Sequence, residues 1–318
     1  MELVKTRKEV RALVRGRSYN PWKNLLAQIW RYRVSYLFLL PFASIFILFT
    51  VLPVAISLFY SFTYNNMLQP ARFIGFGNYI KLFTNDDVFI TALKNTLVFA
   101  VATGPIGYAL SFLVAWLINE LPNKIRSVFV LIFYSPTIAG SIYIIFAILF
   151  SGDFYGYVNA TLMRFGFITQ PIEWLVDPKY MGLVVVICVL WVSMGAGFLA
   201  FVAGLKSMDK QYYEAAAIDG IKNRWQELWY VTLPLMKPQL MFGAIMSITA
   251  AFSIHDVTIA LFGFPSTEYA AHTVVNHMYD YGYLRFDMGY ASAISTILFL
   301  IMIGCNKAIN RLLRKVGN

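Results

Sequence analysis

The 318-residue chain is 59% hydrophobic, 17% aromatic and only 13% charged, with a formal net charge of +10 and a mean hydropathy of +0.62. That is too apolar and too thinly charged for a soluble globular domain, so the sequence belongs in a bilayer. The basic excess calls for no nucleic-acid partner, because Lys and Arg gather in the cytoplasmic loops and tails of membrane proteins, where they face anionic lipid.

Residues 1–35 read as a basic N-terminal tail that mixes Arg and Lys with Trp22, Trp30 and Tyr32, the residue types of a cytoplasmic headgroup interface. The first apolar run starts near residue 36 and outlasts the core of a secretory signal, so it is expected to stay as a span. Six stretches satisfy the need for about 20 mostly apolar residues per spanning helix: 36–62, 96–118, 128–150, 181–205, 240–262 and 288–306. Only the fifth carries an ionisable acid or base, Asp256.

Between the first two spans lies a loop punctuated by Pro70, Gly75 and Gly77, with Asn85 or Asp86 as a candidate helix cap. The second span contains "ATGPIGYA", where Pro105 removes a backbone donor and Gly104 and Gly107 permit a bend or close helix packing. The polar, aromatic, Gly- and Pro-rich segment between spans three and four is expected to hold a short interfacial helix. Counted by connection, 20 of the 26 basic residues fall on one side of the bilayer, the other six being Arg72, Lys81, Lys94, Arg164, Lys179 and Arg285. Both termini and the linker between spans four and five are therefore expected in the cytoplasm.

That linker, "KSMDKQYYEAAAIDGIKNRWQELWYVTLPLMKP", is built as a helix: Asp209 can cap it, residues 214–218 are strong helix formers, and Gly220 can stop it. Ala215, Ala216 and Ala217 would leave a thin surface for another protein's groove, and Tyr212, Tyr213 and Ile218 would supply bulk for packing. A second amphipathic turn, "RWQELWYV", ends at Leu233 and Pro234, where the next membrane helix can begin. Pattern alone leaves open whether this is a plain surface helix or a docking element.

Glu214, Ala215, Ala216, Asp219, Gly220, Leu233 and Pro234 resemble the EAA signature of the membrane subunits of ATP-binding-cassette (ABC) importers. In that family the signature forms a coupling helix, here about 209–222 and including Tyr213, seated in a cleft of the ATPase subunit. "FIGFGNYIKLF", "ALKNTL" and "FPSTEYAAHTVVNHMYDYGYLRFDMGYASAIS" look like the carbohydrate-importing branch, so the likeness covers roughly residues 35–310. The resemblance implies an all-α polytopic membrane protein of the type I importer permease fold: six transmembrane helices in a domain over 36–312, and a cytoplasmic tail at 313–318. It implies a pore-forming subunit of a binding-protein-dependent importer of a carbohydrate, notably an oligosaccharide, in the bacterial cytoplasmic (inner) membrane. The implied partners are a second permease, two ATPase subunits and an external solute-binding protein. No GxxxxGK[ST] phosphate loop occurs in the chain, so ATP and Mg would be held by the partner ATPases, with no cofactor here and no enzymatic activity of its own.

Substrate contacts are then sought among ionisable and aromatic residues at membrane depth. Measured along an unbroken helix from Leu240, Asp256 lies about 24 Å into an apolar core of about 30 Å, near the external mouth. Ser253, His255 and Asp256 of the fifth span, Asn276 and Tyr279 beyond it, and Trp191 of the fourth are the candidates. A carboxylate solvated at the interface, tyrosines acting as interface anchors and a Trp191 packed in the core stand beside that reading. His272 and His277 are five residues apart, off a common helical face, and Cys188 and Cys305 lie in separate spans, so neither a metal site nor a disulfide is expected. The rival reading is a stand-alone secondary transporter of a polar solute, which would show ionisable residues near the midplane and interrupted helices in corresponding halves. Only Asp256 and Pro105 point that way.

Overall fold

The computed structural model describes residues 30–140 and 142–313; most of the basic N-terminal tail and nearly all of the C-terminal tail lie outside them. The chain divides into two units between Ser57 and Leu58. The first carries most of α1 (Arg33–Tyr60), a helix long and apolar enough to cross a membrane. Within α1 the Leu52 N–H reaches back to the Ile47 carbonyl. That wide turn falls just before Pro53, whose ring crowds the preceding turn of a regular helix.

The second unit opens with a hairpin of two-residue strands, β1 (Thr63–Tyr64) and β2 (Arg72–Phe73), paired antiparallel. These strands are a small addition to the expected all-α architecture. Helix α2 (Gly77–Thr84) follows, and then α3 (Asp87–Asn119), capped by Asp86, whose side chain accepts the Phe89 N–H. At 33 residues, α3 is about 50 Å long, well beyond the thickness of an apolar core. It begins nine residues before the expected span, because the polar stretch 87–95 is helical too and Asn95 donates to the Tyr269 and His272 carbonyls.

The third expected span is not one straight helix: α4 (Asn123–Ile138) and α5 (Tyr143–Leu149) meet at 88°. Pro136 lacks the N–H that would bond the Ile132 carbonyl, and Ser135 Oγ takes that carbonyl instead at 2.9 Å. After a short helix α6 (Tyr157–Arg164), the fourth span is α7 (Pro178–Trp191) followed by α8 (Ala196–Ser207), interrupted at 192–195. The fifth, α11 (Lys237–Phe252) and α12 (Asp256–Phe262), is interrupted at 253–255. Two helices lie between them, α9 (Lys210–Ile218) and α10 (Arg224–Glu227). Helix α13 (Val274–Tyr279) leads to the last span, α14 (Met288–Leu313). Among the described residues five helices are long and apolar enough to span a membrane, or six if the bent pair α4 and α5 is one span.

Three apolar clusters hold the second unit together. One joins Phe99 to Met181, Val184 and Cys188 of α7; another sets Phe89 against Phe252, Val274, Tyr290 and Ile294; the third sets Ala115 against Phe198, Phe201 and Leu240. Lipid offers apolar surfaces no penalty to escape, so close backbone approach has to supply the packing. Gly197 and Gly243 provide it: a Cβ on Gly197 would sit 3.4 Å from Gly243 Cα, and one on Gly243 would lie 2.3 Å from the Phe201 ring.

Candidate functional site

Two places concentrate the chemistry, and the first is the linker between spans four and five. Asp209 accepts the Gln211 N–H at 3.0 Å and starts α9. Gly220, at φ +95°, ends it. The Ile221 N–H bonds the Ala216 carbonyl and the Gly220 N–H bonds the Ala217 carbonyl, at 3.0 and 3.3 Å, a Schellman closure that favours glycine at its left-handed position. Nothing lies within 4 Å of a Cβ built on Gly220, so backbone conformation, not crowding, selects the residue.

A nine-residue helix resting on the rest of the chain buries a single stripe, and here that stripe is Tyr213 and Ala216. Tyr213 Oη lies 2.9 Å from Met208 Sδ and 3.1 Å from Thr232 Oγ1, and Ala216 is buried. Glu214, Ala215, Asp219 and Gly220 stay on the open face with Tyr212 and Ile218, the last 87% exposed. The sequence expectation is corrected at three positions: Ala216 leaves the thin outer surface, and Tyr212 and Ile218 join it instead of packing inward. Asn223 caps α10 through the Gln226 N–H, and a π-helical turn, Leu228–Thr232, delivers half-buried Leu233 and Pro234 to the foot of α11. Trp225 lies 5.4 Å, ring to ring, from Trp116 of α3, and Arg224 pairs with both Glu120 and Glu227. The linker is thereby tied to one end of the longest helix.

The second place is a cavity of about 360 Å³ at the two helix interruptions, lined by Thr103, Ser111, Ser193, Ser253, His255 and Asp256 among others. Breaking a helix frees carbonyls that need partners. Ser111 Oγ donates to Ser193 O at 3.2 Å, Thr137 Oγ1 to Met194 O at 3.1 Å, and Thr273 Oγ1 to Ile254 O at 2.7 Å. Ser111 and Thr137, which line the cavity, thus also hold the fourth-span break open. Because α11 stops at Phe252, the rise of a continuous helix does not locate Asp256: it stands in the first turn of α12, on the cavity wall.

A family model, "Binding-protein-dependent transport system inner membrane component", matches residues 107–316. The chain belongs to that family. It is similar to the lactose transport system permease protein LacF of Rhizobium radiobacter, 31% identical over 224 residues that cover 70% of this chain and 74% of the relative. It is similar as well to the arabinooligosaccharides transport system permease protein AraP of Bacillus subtilis strain 168, 29% identical with 89% and 88% covered. A solved bacterial ABC transporter involved in the import of the acidic polysaccharide alginate has a chain that overlays with a TM-score of 0.72 at 25% identity, covering 93% of this chain and all of that one. This is an ABC transporter permease of the sugar-transporting kind, a multi-pass helical membrane protein.

Within the permease the remaining candidates separate. Tyr279 lies against His255 with the rings tilted (centroids 5.1 Å apart) and stacks on Tyr283 (5.1 Å), forming an aromatic path that leads to the cavity wall. Asn276 is buried and bonded to Thr258 and Thr273, a structural brace away from the lining. Trp191, 63% exposed, is absent from the lining as well, and from the core. The interrupted fourth and fifth spans correct the sequence reading, which found no such breaks; they do not mark a stand-alone transporter here, because the chain belongs to the binding-protein-dependent family.

Sequence reasoning missed a buried polar clasp. Asp86 Oδ2 accepts from Tyr290 Oη at 2.7 Å and lies 2.9 Å from His277 Nε2, while Oδ1 accepts the Phe89 N–H at 2.9 Å. Burial alone would raise the Asp86 carboxyl, yet these hydrogen bonds hold it at about 2. Ionised Asp86 can only accept, so His277 Nε2 carries the proton it shares. Burial pushes His272, whose ring lies 5.6 Å from that of His277, down to about 4. The partners are 191 and 204 residues from Asp86, and no local spacing betrays them.

Proposed function

We propose that this chain is one pore-forming half of an ATP-driven importer for a carbohydrate, an oligosaccharide in particular, and that it moves substrate by alternating access. The observation that carries the proposal is the pairing of an exposed, capped helix at 210–218 with a cavity built at two helix interruptions. Transporter folds place solutes where helices are discontinuous, and Ser253, His255 and Asp256 stand at such a point, with Tyr279 leading toward them. Docked in an ATPase cleft, Glu214, Ala215, Asp219 and Gly220 with Tyr212 and Ile218 would form the contact. Tyr213 and Ala216 would anchor the helix from behind, and Leu233 and Pro234 would pass its motion to α11.

In this reading α4 and α5 together make the third of six spans and both termini lie in the cytoplasm, as the distribution of Lys and Arg supports. The permease domain covers residues 36–312 in the inner membrane. ATP and Mg belong to two partner ATPases; a second permease completes the pore, and an external binding protein delivers sugar. The names of LacF and AraP, which specify lactose and arabinooligosaccharides, support a carbohydrate substrate. The test is purification of the chain with its co-expressed partners, followed by ATP-dependent oligosaccharide uptake into proteoliposomes. Uptake that needs ATP and the ATPase subunits is expected; solute uptake driven by an ion gradient with this chain alone would restore the secondary-transporter reading.

A further inference from the structure

The charge pattern of the cavity bears on which glycans it accepts. None of the described residues lining it is Lys or Arg. Its one carboxylate, Asp256, is exposed to the cavity and has neither a hydrogen bond nor an ion pair among the described residues. Tyr143 lines the same cavity. Most of the lining hydroxyls are already committed: Ser111 and Thr137 hold the carbonyls of the fourth-span break, Ser193 bonds Leu190 O, and Ser247 bonds Gly104 O beside Pro105. The polar groups left for a solute are the Asp256 carboxylate and the hydroxyls of Ser253 and Tyr143.

We propose that this cavity selects uncharged, polyhydroxylated glycans and rejects uronic acid oligomers, with Asp256 as the discriminating residue. The proposal rests on the carbohydrate reading above and sharpens it. A free carboxylate is an acceptor that needs donors, and sugar hydroxyls supply them; charge-assisted hydrogen bonds of this kind are the strong ones. A uronate would bring a second negative charge beside Asp256, with no Lys or Arg among the described lining residues to meet it. Two unit charges about 8 Å apart, at an effective dielectric of about 20, repel enough for roughly thirtyfold weaker binding. Likeness in fold to an importer of acidic alginate therefore does not carry the substrate's charge with it.

The experiment uses the assembled transporter, this chain with its partner permease and ATPases, in lipid nanodiscs at about pH 8, where an ordinary imidazole is neutral. The external binding protein is left out so that its own selection does not enter. Binding of neutral arabino-, malto- and xylo-pentasaccharides is compared with that of alginate pentasaccharide, for the native chain, Asp256→Asn and Asp256→Glu. At least one neutral probe is expected to bind about thirtyfold more tightly than the uronate. Asp256→Asn, nearly isosteric, is expected to shrink that gap to about threefold or less by restoring uronate binding, and Asp256→Glu to keep it. Equal or tighter uronate binding by the native chain, or a gap unchanged by Asp256→Asn, would overturn the proposal. ATP-dependent uptake of the same probes is measured in parallel with the external binding protein restored. Uptake without charge discrimination removes this inference alone, whereas absence of uptake and binding for every glycan removes the carbohydrate reading with it.

Discussion

Replacing Asp86 with Ala removes the acceptor for three donors at once: His277 Nε2, Tyr290 Oη and the Phe89 N–H. Asp86, His277 and Tyr290 are buried, so water cannot take over. An unsatisfied buried donor costs about 1–3 kcal/mol, and a hydrogen bond to a charged group contributes about 1.5–3 kcal/mol. The contacts share one carboxylate and do not add in full, so a loss of about 3–5 kcal/mol is expected. Tyr290→Phe removes one donor and leaves the carboxylate two others, so it should cost about 1–1.5 kcal/mol. Cys188, fully buried, supplies the assay: reaction of its thiol with a fluorogenic maleimide during heating in detergent, with Cys305 replaced by Ser, reports opening of the helical core. Asp86→Ala is expected to lower the midpoint by roughly 5–10 °C and Tyr290→Phe by about a third of that. Equal, small shifts in the two variants would refute the claim that one ionised carboxylate organises this end of the bundle. The linkage sign follows from its depressed value: the Asp86 contribution, about 2 kcal/mol, is present above pH 3.8 and is lost as pH falls toward about 2.

The buried His272 gives a second pH window with no overlap. Its folded value of about 4 lies below the ordinary 6.5, so the unfolded chain binds the proton first and stability falls as pH drops from 6.5 to about 4. The loss is roughly 3 kcal/mol, and His272→Phe should flatten the thermal midpoint across that interval; an unchanged slope would rule out His272 as its source. Gly243→Ala places a Cβ 2.3 Å from the Phe201 ring and is expected to cost about 1–3 kcal/mol by overpacking. Gly243→Ala combined with Phe201→Leu should recover part of that in the same thiol assay, and no recovery would show that the strain lies elsewhere.

The helical membrane class was legible from composition and apolar run length alone, because a bilayer imposes both directly. So were the Asp209 cap and the Gly220 stop, which depend on one side chain and one backbone angle. The interruptions at 192–195 and 253–255 were not. Hydropathy averages over a window and stays high through "LWVSMGAGF", and what keeps that break open is a set of hydroxyls from other helices, Ser111 and Thr137. The facing of α9 was misjudged for a related reason: which stripe of a short helix turns inward depends on Thr232 and Met208, not on the helix itself. Asn276 looked like a substrate ligand because it is polar beside a span, whereas Thr258 and Thr273 occupy it. The bend in the third span did have a local signal that the sequence reading did not use, Pro136.

The central claim is that α9 couples partner ATPases to the cavity. Gly220→Val tests it most directly, because the open space around that Cβ leaves insertion and packing intact while a left-handed backbone costs an L residue about 1–2 kcal/mol. Sugar uptake and ATP hydrolysis are measured together in proteoliposomes holding the complete transporter, with the amount of inserted chain as control. The expected result is normal insertion with uptake per ATP hydrolysed reduced about five- to thirtyfold, the range that penalty corresponds to; Glu214→Ala should move the ratio the same way. Native coupling in both variants would contradict the account and take the linker between spans four and five out of the energy-transducing path.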